Sequence, residues 1–182
     1  NDNVTSAHYG NGMYNLYSYN AANLVSSMDL KNSGTGKTHE HFEYRYNYDG
    51  NVLGKTETIG NVTNTTAYKY SNNKLINETV SGDGNYSLSY TYDNGGNRKS
   101  VTATGNIKGY TETYSYDKNN RLTGTVKNFG TESDYTEYTY DNNGNQTAVN
   151  KYSKNNEGIF KLKVVNAIYN GNTEKERFTY NG

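Results

Sequence analysis

Polar and apolar positions alternate with a period of two over long stretches of the chain. Between residues 39 and 48, Phe42, Tyr44, Tyr46 and Tyr48 share one parity, and His41, Glu43, Arg45 and Asn47 take the other. Between residues 86 and 92, Tyr86, Leu88, Tyr90 and Tyr92 alternate with Ser87, Ser89 and Thr91. Successive side chains on a strand point to opposite faces, so each stretch predicts a strand with one aromatic and one polar face.

The aromatic parity recurs as Tyr-x-Tyr. The pairs are Tyr17/Tyr19, Tyr46/Tyr48, Tyr68/Tyr70, Tyr90/Tyr92, Tyr114/Tyr116 and Tyr138/Tyr140, with second tyrosines 29, 22, 22, 24 and 24 residues apart. A polar turn follows each pair, seen at Asp49-Gly50-Asn51, Asp93-Asn94-Gly95-Gly96-Asn97, Asp117-Lys118-Asn119-Asn120 and Asp141-Asn142-Asn143-Gly144-Asn145. Asp starts a turn by accepting backbone amides, and Gly or Asn supplies the positive backbone angle that a tight turn needs. Returning strands are predicted at 52–59, 74–80, 98–104, 121–126 and 146–152. One unit is then two strands in 22 to 24 residues, and stacked hairpins share a core that a single hairpin lacks. The predicted architecture is all-β: tandem hairpins in a curved or spiralling antiparallel sheet, with residues 1–182 as one array.

The period stretches near the start. Leu24, Val25, Met28 and Leu30 fit a strand or a short turn of helix, and residues 33–38 read as an exposed hairpin loop. It breaks again at 153–168, where the apolar run 159–165 reads as an insertion, a cap or an extra strand. Residues 169–182 look like a partial last unit. With Asn1 in place of an initiator Met, the chain reads as a piece of a longer protein.

Composition changes this picture in three ways. A mean hydropathy of -1.07 alone would argue for disorder, but 21 tyrosines supply large rings with a polar tip. The predicted core is therefore mainly tyrosine in place of aliphatic residues. A net charge of zero with no long basic run disfavours nucleic acid and acidic lipid as partners. Zero Cys removes disulfides and thiol chemistry, while zero Pro suits strands that need every amide. No apolar run reaches membrane-spanning length, so no membrane insertion is expected.

Little in the chain suggests catalysis. Gly34-Thr35-Gly36-Lys37-Thr38 resembles a phosphate loop only superficially, because Lys31 stands where the first Gly is required. His39, His41 and Glu43 share a strand face, but a metal site needs fixed geometry and usually another ligand. Asp49, Asp93, Asp117 and Asp141 recur at equivalent turn positions, which favours a structural role; weak calcium binding there stays open. No cofactor, resident metal or catalytic residue is expected. Exposed tyrosines stay open as a surface for sugar rings.

The repeated segments, above all Tyr46-Asn47-Tyr48-Asp49-Gly50-Asn51, Tyr90-Thr91-Tyr92-Asp93-Asn94-Gly95-Gly96-Asn97 and Tyr138-Thr139-Tyr140-Asp141-Asn142-Asn143-Gly144-Asn145, resemble the YD repeat, also called the RHS repeat. Tyr114-Ser115-Tyr116-Asp117 is close, Tyr68-Lys69-Tyr70-Ser71 lacks the Asp, and Tyr17-Ser18-Tyr19-Asn20 has Asn in its place. The resemblance covers about residues 14 to 152. It implies an open fragment of a β-ribbon shell, of the kind found in bacterial wall-associated and polymorphic toxin proteins. Its structural residues here would be Tyr46, Tyr48, Asp49, Gly50, Tyr68, Tyr70, Tyr90, Tyr92, Asp93, Gly96, Tyr114, Tyr116, Asp117, Tyr138, Tyr140, Asp141 and Gly144. The expected function is a non-enzymatic scaffold in a secreted or surface bacterial protein, whose partners are other domains of the same polypeptide. The alternative is an adhesin module that binds carbohydrate or cell wall.

Overall fold

Alternation without any helical period leaves the backbone one way to pair its amides, strand against strand. In the computed structural model, residues 2–154, 160–167 and 175–177 are described, the last two stretches by their backbone. They hold fifteen strands and no helix. The fold is all-β and antiparallel in an open sheet whose strand order follows the chain.

The chain divides into two compact units, one running to Ser87 and the other from Leu88. The first contains β1 (Ser6–His8), β2 (Met13–Tyr19), β3 (Val25–Asn32), β4 (Thr38–Tyr46), β5 (Val52–Ile59), β6 (Val62–Ser71) and β7 (Lys74–Ser81). The boundary falls inside β8 (Tyr86–Tyr92). The second continues with β9 (Arg98–Gly105), β10 (Tyr110–Tyr116), β11 (Leu122–Asn128), β12 (Ser133–Tyr140), β13 (Gln146–Lys154), β14 (Phe160–Ala167) and β15 (Lys175–Arg177). Of the ambiguous segment at residues 24–30, Val25 onward is strand β3, and Leu24 belongs to the turn before it. Part of the apolar run near 160 is the backbone of β14, paired with β13 from Ala148↔Ala167 to Lys154↔Phe160. Of the predicted partial last unit at 169–182, only the backbone of Lys175–Arg177 is described.

Register sorts the side chains onto two faces, since residues paired across antiparallel strands share a face. In the first unit, Tyr17↔Met28↔Phe42 and Tyr44↔Lys55↔Thr66↔Val80 are rows on the aromatic face. In the second, Tyr114↔Thr125↔Thr136 and Tyr110↔Ala103 lie on it. The opposite face carries hydroxyls, with Thr58 bonded to Thr63 at 2.9 Å and Thr139 to Thr147 at 2.9 Å.

The core differs from the expected one. The most buried side chains among the described residues are Ala103, Val101, Thr66 and Thr125, at 2, 4, 5 and 7% exposure. All four are short residues on the aromatic face, and the tyrosines of the pairs, Tyr48 apart, are only partly buried. The reason is layering: one sheet cannot cover a ring from above.

Candidate functional site

The most regular feature is the joint between successive hairpins. It is built from a turn and from a tyrosine of the next hairpin. In the turn after β2, Asn20 Oδ1 accepts the amides of Ala22 and Leu24. Asn47 Oδ1 does the same for Asp49 and Asn51. Asp117 accepts from Asn119 and Arg121, and Asp141 from Asn143 and Asn145. Asp93 accepts from Asn97. The residue three after each of these has a positive φ: Asn23, Gly50, Gly96, Asn120 and Gly144. The turn between β6 and β7 is tighter, with Asn72 and Asn73 both at positive φ between the paired Ser71 and Lys74.

This geometry shifts the repeat by two residues in one hairpin. The turn there starts at Asn47, so the tyrosine pair is Tyr44/Tyr46, and Tyr46/Tyr48 with Asp49 is not the structural equivalent. Tyr48 is fully exposed, at 110%. Gly50 keeps its role as the positive-φ residue, because it stands three residues after Asn47. That same spacing was available in the sequence as the discriminating signal.

In four of the pairs the second tyrosine reaches back to the preceding hairpin. Tyr46 Oη donates to the carbonyl of Val25 at 2.6 Å, and Tyr70 Oη to Val52 at 3.0 Å. Tyr116 Oη donates to Arg98 at 2.9 Å, and Tyr140 Oη to Leu122 at 2.7 Å. Each acceptor is the first residue of the strand that leaves the preceding turn, and it lies five residues after that turn's Asn or Asp. The reach is 21 residues for Tyr46 and 18 for the other three. Tyr19 makes a related bond to the carbonyl of Val4 at 2.7 Å. Burial pushes the phenols of Tyr46 and Tyr116 up, and likewise those of Tyr68, Tyr114 and Tyr138.

Neighbouring turns in the second unit also bond to one another. Asn97 Nδ2 donates to Asp93 Oδ2 and to Asn120 Oδ1, both at 3.0 Å. Arg121 Nε donates to Asp117 Oδ2 at 2.6 Å, Nη1 to the carbonyl of Asp141 at 3.4 Å, and the guanidinium stacks 4.9 Å from the Tyr140 ring centre. Arg98 lies between two rings, 5.1 Å from Tyr90 and 5.7 Å from Tyr114. The turn carboxylates therefore spend their oxygens within the turn row. Asn97 and Asn145 side-chain amides hold Asp93 and Asp141 below the usual carboxylate range, and the Arg121 amide does so for Asp117. Beside this row is a cleft of about 440 Å³ that includes Tyr92, Lys99 and Tyr116 in its lining.

Asn51 marks the one hairpin in which the turn starts with Asn rather than Asp but the fourth residue is still Asn. Its Nδ2 is buried without a hydrogen-bond partner. In the equivalent turns Asn97 and Asn145 donate this group to the second carboxylate oxygen of Asp93 and Asp141. Asn47 has an amide nitrogen in place of that oxygen and accepts nothing there.

The other sequence candidates resolve simply. In the loop at 33–38, Asn32 Oδ1 accepts the amides of Gly34 and Thr35, so the phosphate-loop likeness has no open amide cradle at those two positions. His41 meets Glu43 on its own strand, but also Asp29 from β3, a partner that spacing along one strand cannot show. Among the described residues, no group of three or more His, Cys, Asp or Glu side chains has metal-binding geometry, and no helix is long and apolar enough to cross a membrane.

No protein-family model matches the chain, and no curated protein matches it. Several solved structures are similar to it. One is a chain in the Tc holotoxin pore of Photorhabdus luminescens, with 14% identity and a TM-score of 0.48 over 87% of this chain and 11% of that one. A porin-like protein from Bacteroides uniformis has 16% identity and a TM-score of 0.46, covering 91% of this chain and 86% of that one. A chain in the TcdB2–TccC3 crystal structure has 10% identity and a TM-score of 0.30, covering 97% and 14%. The chain thus spans only 11% and 14% of the lengths of the two toxin chains. With every TM-score below 0.5, these likenesses bear on neither chemistry nor partners.

Proposed function

We propose that the chain is a non-enzymatic scaffold segment of a larger secreted or surface protein of the YD-repeat kind, and that it encloses or displays another part of that polypeptide. The observation that carries this reading is the tyrosine tie. The same phenol, on the strand that leads into one turn, reaches the carbonyl that opens the strand leaving the turn before, and so fastens four hairpins each to its predecessor. Such a joint adds hairpins without adding a site, which suits a wall or a support.

The faces support the reading. A single layer leaves both faces uncovered, with Leu16 on the hydroxyl face and Ile59 on the aromatic face at 37 and 51% exposure, open to other parts of the polypeptide. The turn row presents carboxylates already engaged by neighbours rather than free acid–base pairs.

Limited proteolysis of the parent polypeptide tests the proposal. Deleting residues 2–154 should expose an adjoining domain to protease that the intact protein resists or holds in place. Unchanged cleavage and unchanged attachment of that domain after deletion would sink the scaffold reading.

A further inference from the structure

On the hydroxyl face, the register between β3 and β4 places Asp29 directly opposite His41 and Ser27 opposite Glu43. His41 Nδ1 lies 2.6 Å from Asp29 Oδ1, and Nε2 lies 3.3 Å from Glu43 Oε1. Both ring nitrogens therefore face a carboxylate. Only the imidazolium carries a proton for each. A neutral ring keeps one proton, and its other nitrogen then turns a lone pair toward the second carboxylate.

The surrounding charges leave this balance with His41. From β3, Lys31 Nζ stands 3.8 Å from Asp29 Oδ2. On β4, Arg45 follows Glu43 on the same parity, and His39 precedes His41. His39 and His41 line a cleft of about 390 Å³ with Asp29, Thr38, Thr58 and Gly60. β5 brings only Thr56 and Thr58 opposite Glu43 and His41, and β2 brings Tyr14 and Leu16 opposite Lys31 and Asp29. Two carboxylates thus flank the one ring that joins them.

We infer that Asp29, His41 and Glu43 form a protonation-dependent clasp across β3 and β4, which holds this hairpin in acid and releases it as the imidazolium loses its proton. The bond to Asp29 raises His41 above its ordinary value of 6.5, Glu43 adds to the rise, and burial opposes it. A histidine raised in the folded state contributes its full stabilisation below about 6.5 and loses it as pH climbs through the folded value. The contact is local, because the pairing slips between Leu30 and Lys31 and the loop beyond turns at Gly36 with φ 68. The end of one hairpin, not the whole sheet, is what the clasp governs.

The test uses the full 182-residue chain. Proton NMR follows the His41 ring through a pH titration, and hydrogen exchange gives protection factors for β3 and β4 amides at each pH. The ring should titrate above its value in the urea-unfolded chain, and protection on β3 and β4 should fall several-fold across that titration while β6 and β7 hold theirs. His41→Gln should abolish the pH dependence, and Asp29→Asn should lower the ring's titration point and flatten it. The clasp is overturned if His41 titrates at or below its unfolded value. It is equally overturned if β3–β4 protection ignores pH, or follows it as strongly in both variants as in the parent chain.

Discussion

Replacing Tyr46 by Phe removes a single oxygen, the one that donates to the Val25 carbonyl at 2.6 Å. The ring stays, so its contacts on the aromatic face stay with it. A hydrogen bond of this kind contributes about 1 kcal/mol net, and the carbonyl left behind is only partly shielded from water. Tyr46→Phe should therefore destabilise the joint between the hairpins by about 1 kcal/mol, which is roughly a fivefold rise in local opening. Tyr48→Phe is the internal control: its side chain is 110% exposed, and no change is expected. Stacked repeats need not unfold in one step. The fitting assay is native-state hydrogen exchange, read at the first amides of β3 for Tyr46→Phe and of β5 for Tyr70→Phe. Tyr46 pairs with Val52, the acceptor of Tyr70, and Tyr116 pairs with Leu122, the acceptor of Tyr140, so the costs of neighbouring Tyr→Phe changes should couple rather than simply add. Equal costs for Tyr46→Phe and Tyr48→Phe would refute the placement of the joint. A cost near zero at all four ties would refute its energetic role.

Three further outcomes follow from the same geometry. Asn47→Asp supplies the missing acceptor for the buried Asn51 Nδ2 and should stabilise the chain by about 1 kcal/mol, seen as a higher urea midpoint; an unchanged or lower midpoint counts against the explanation. Asp93, Asp117 and Asp141 sit below their ordinary 3.8, so their contribution is complete above that value and drains as pH falls through the lower folded values. Replacing all three by Asn should leave a shallower acid transition in circular dichroism, and an equally steep one would discount the turn row. At Gly82, with φ +130, an added Cβ would stand 2.5 Å from the Thr63 carbonyl oxygen, whereas at Gly84, with φ +89, it meets nothing within 4 Å. Gly82→Ala should thus lose stability by about 1–3 kcal/mol and by more than Gly84→Ala, as thermal melts of the two variants would show.

Alternation and turn chemistry determined a good deal of this protein by themselves. The period of two specifies strands, and the strand predicted at 52–59 is β5 (Val52–Ile59) residue for residue. The Asn and Asp turns are local too, because each side chain caps amides two and four residues along. What local chemistry left undecided is the register where a motif fits twice. Tyr44, Tyr46 and Tyr48 all satisfy the Tyr-x-Tyr spacing; Gly50 three residues after Asn47 favours Tyr46, and the reach of its phenol to Val25, 21 residues back, fixes it. The clasp has the same origin: His41 and Glu43 are neighbours on one strand, but Asp29 arrives through a hairpin whose pairing slips by a residue. Abundance likewise points to tyrosine as the core, yet burial depends on what lies above a ring. In a single layer that cover is missing, and the deepest places go to the short side chains of Ala103, Val101, Thr66 and Thr125.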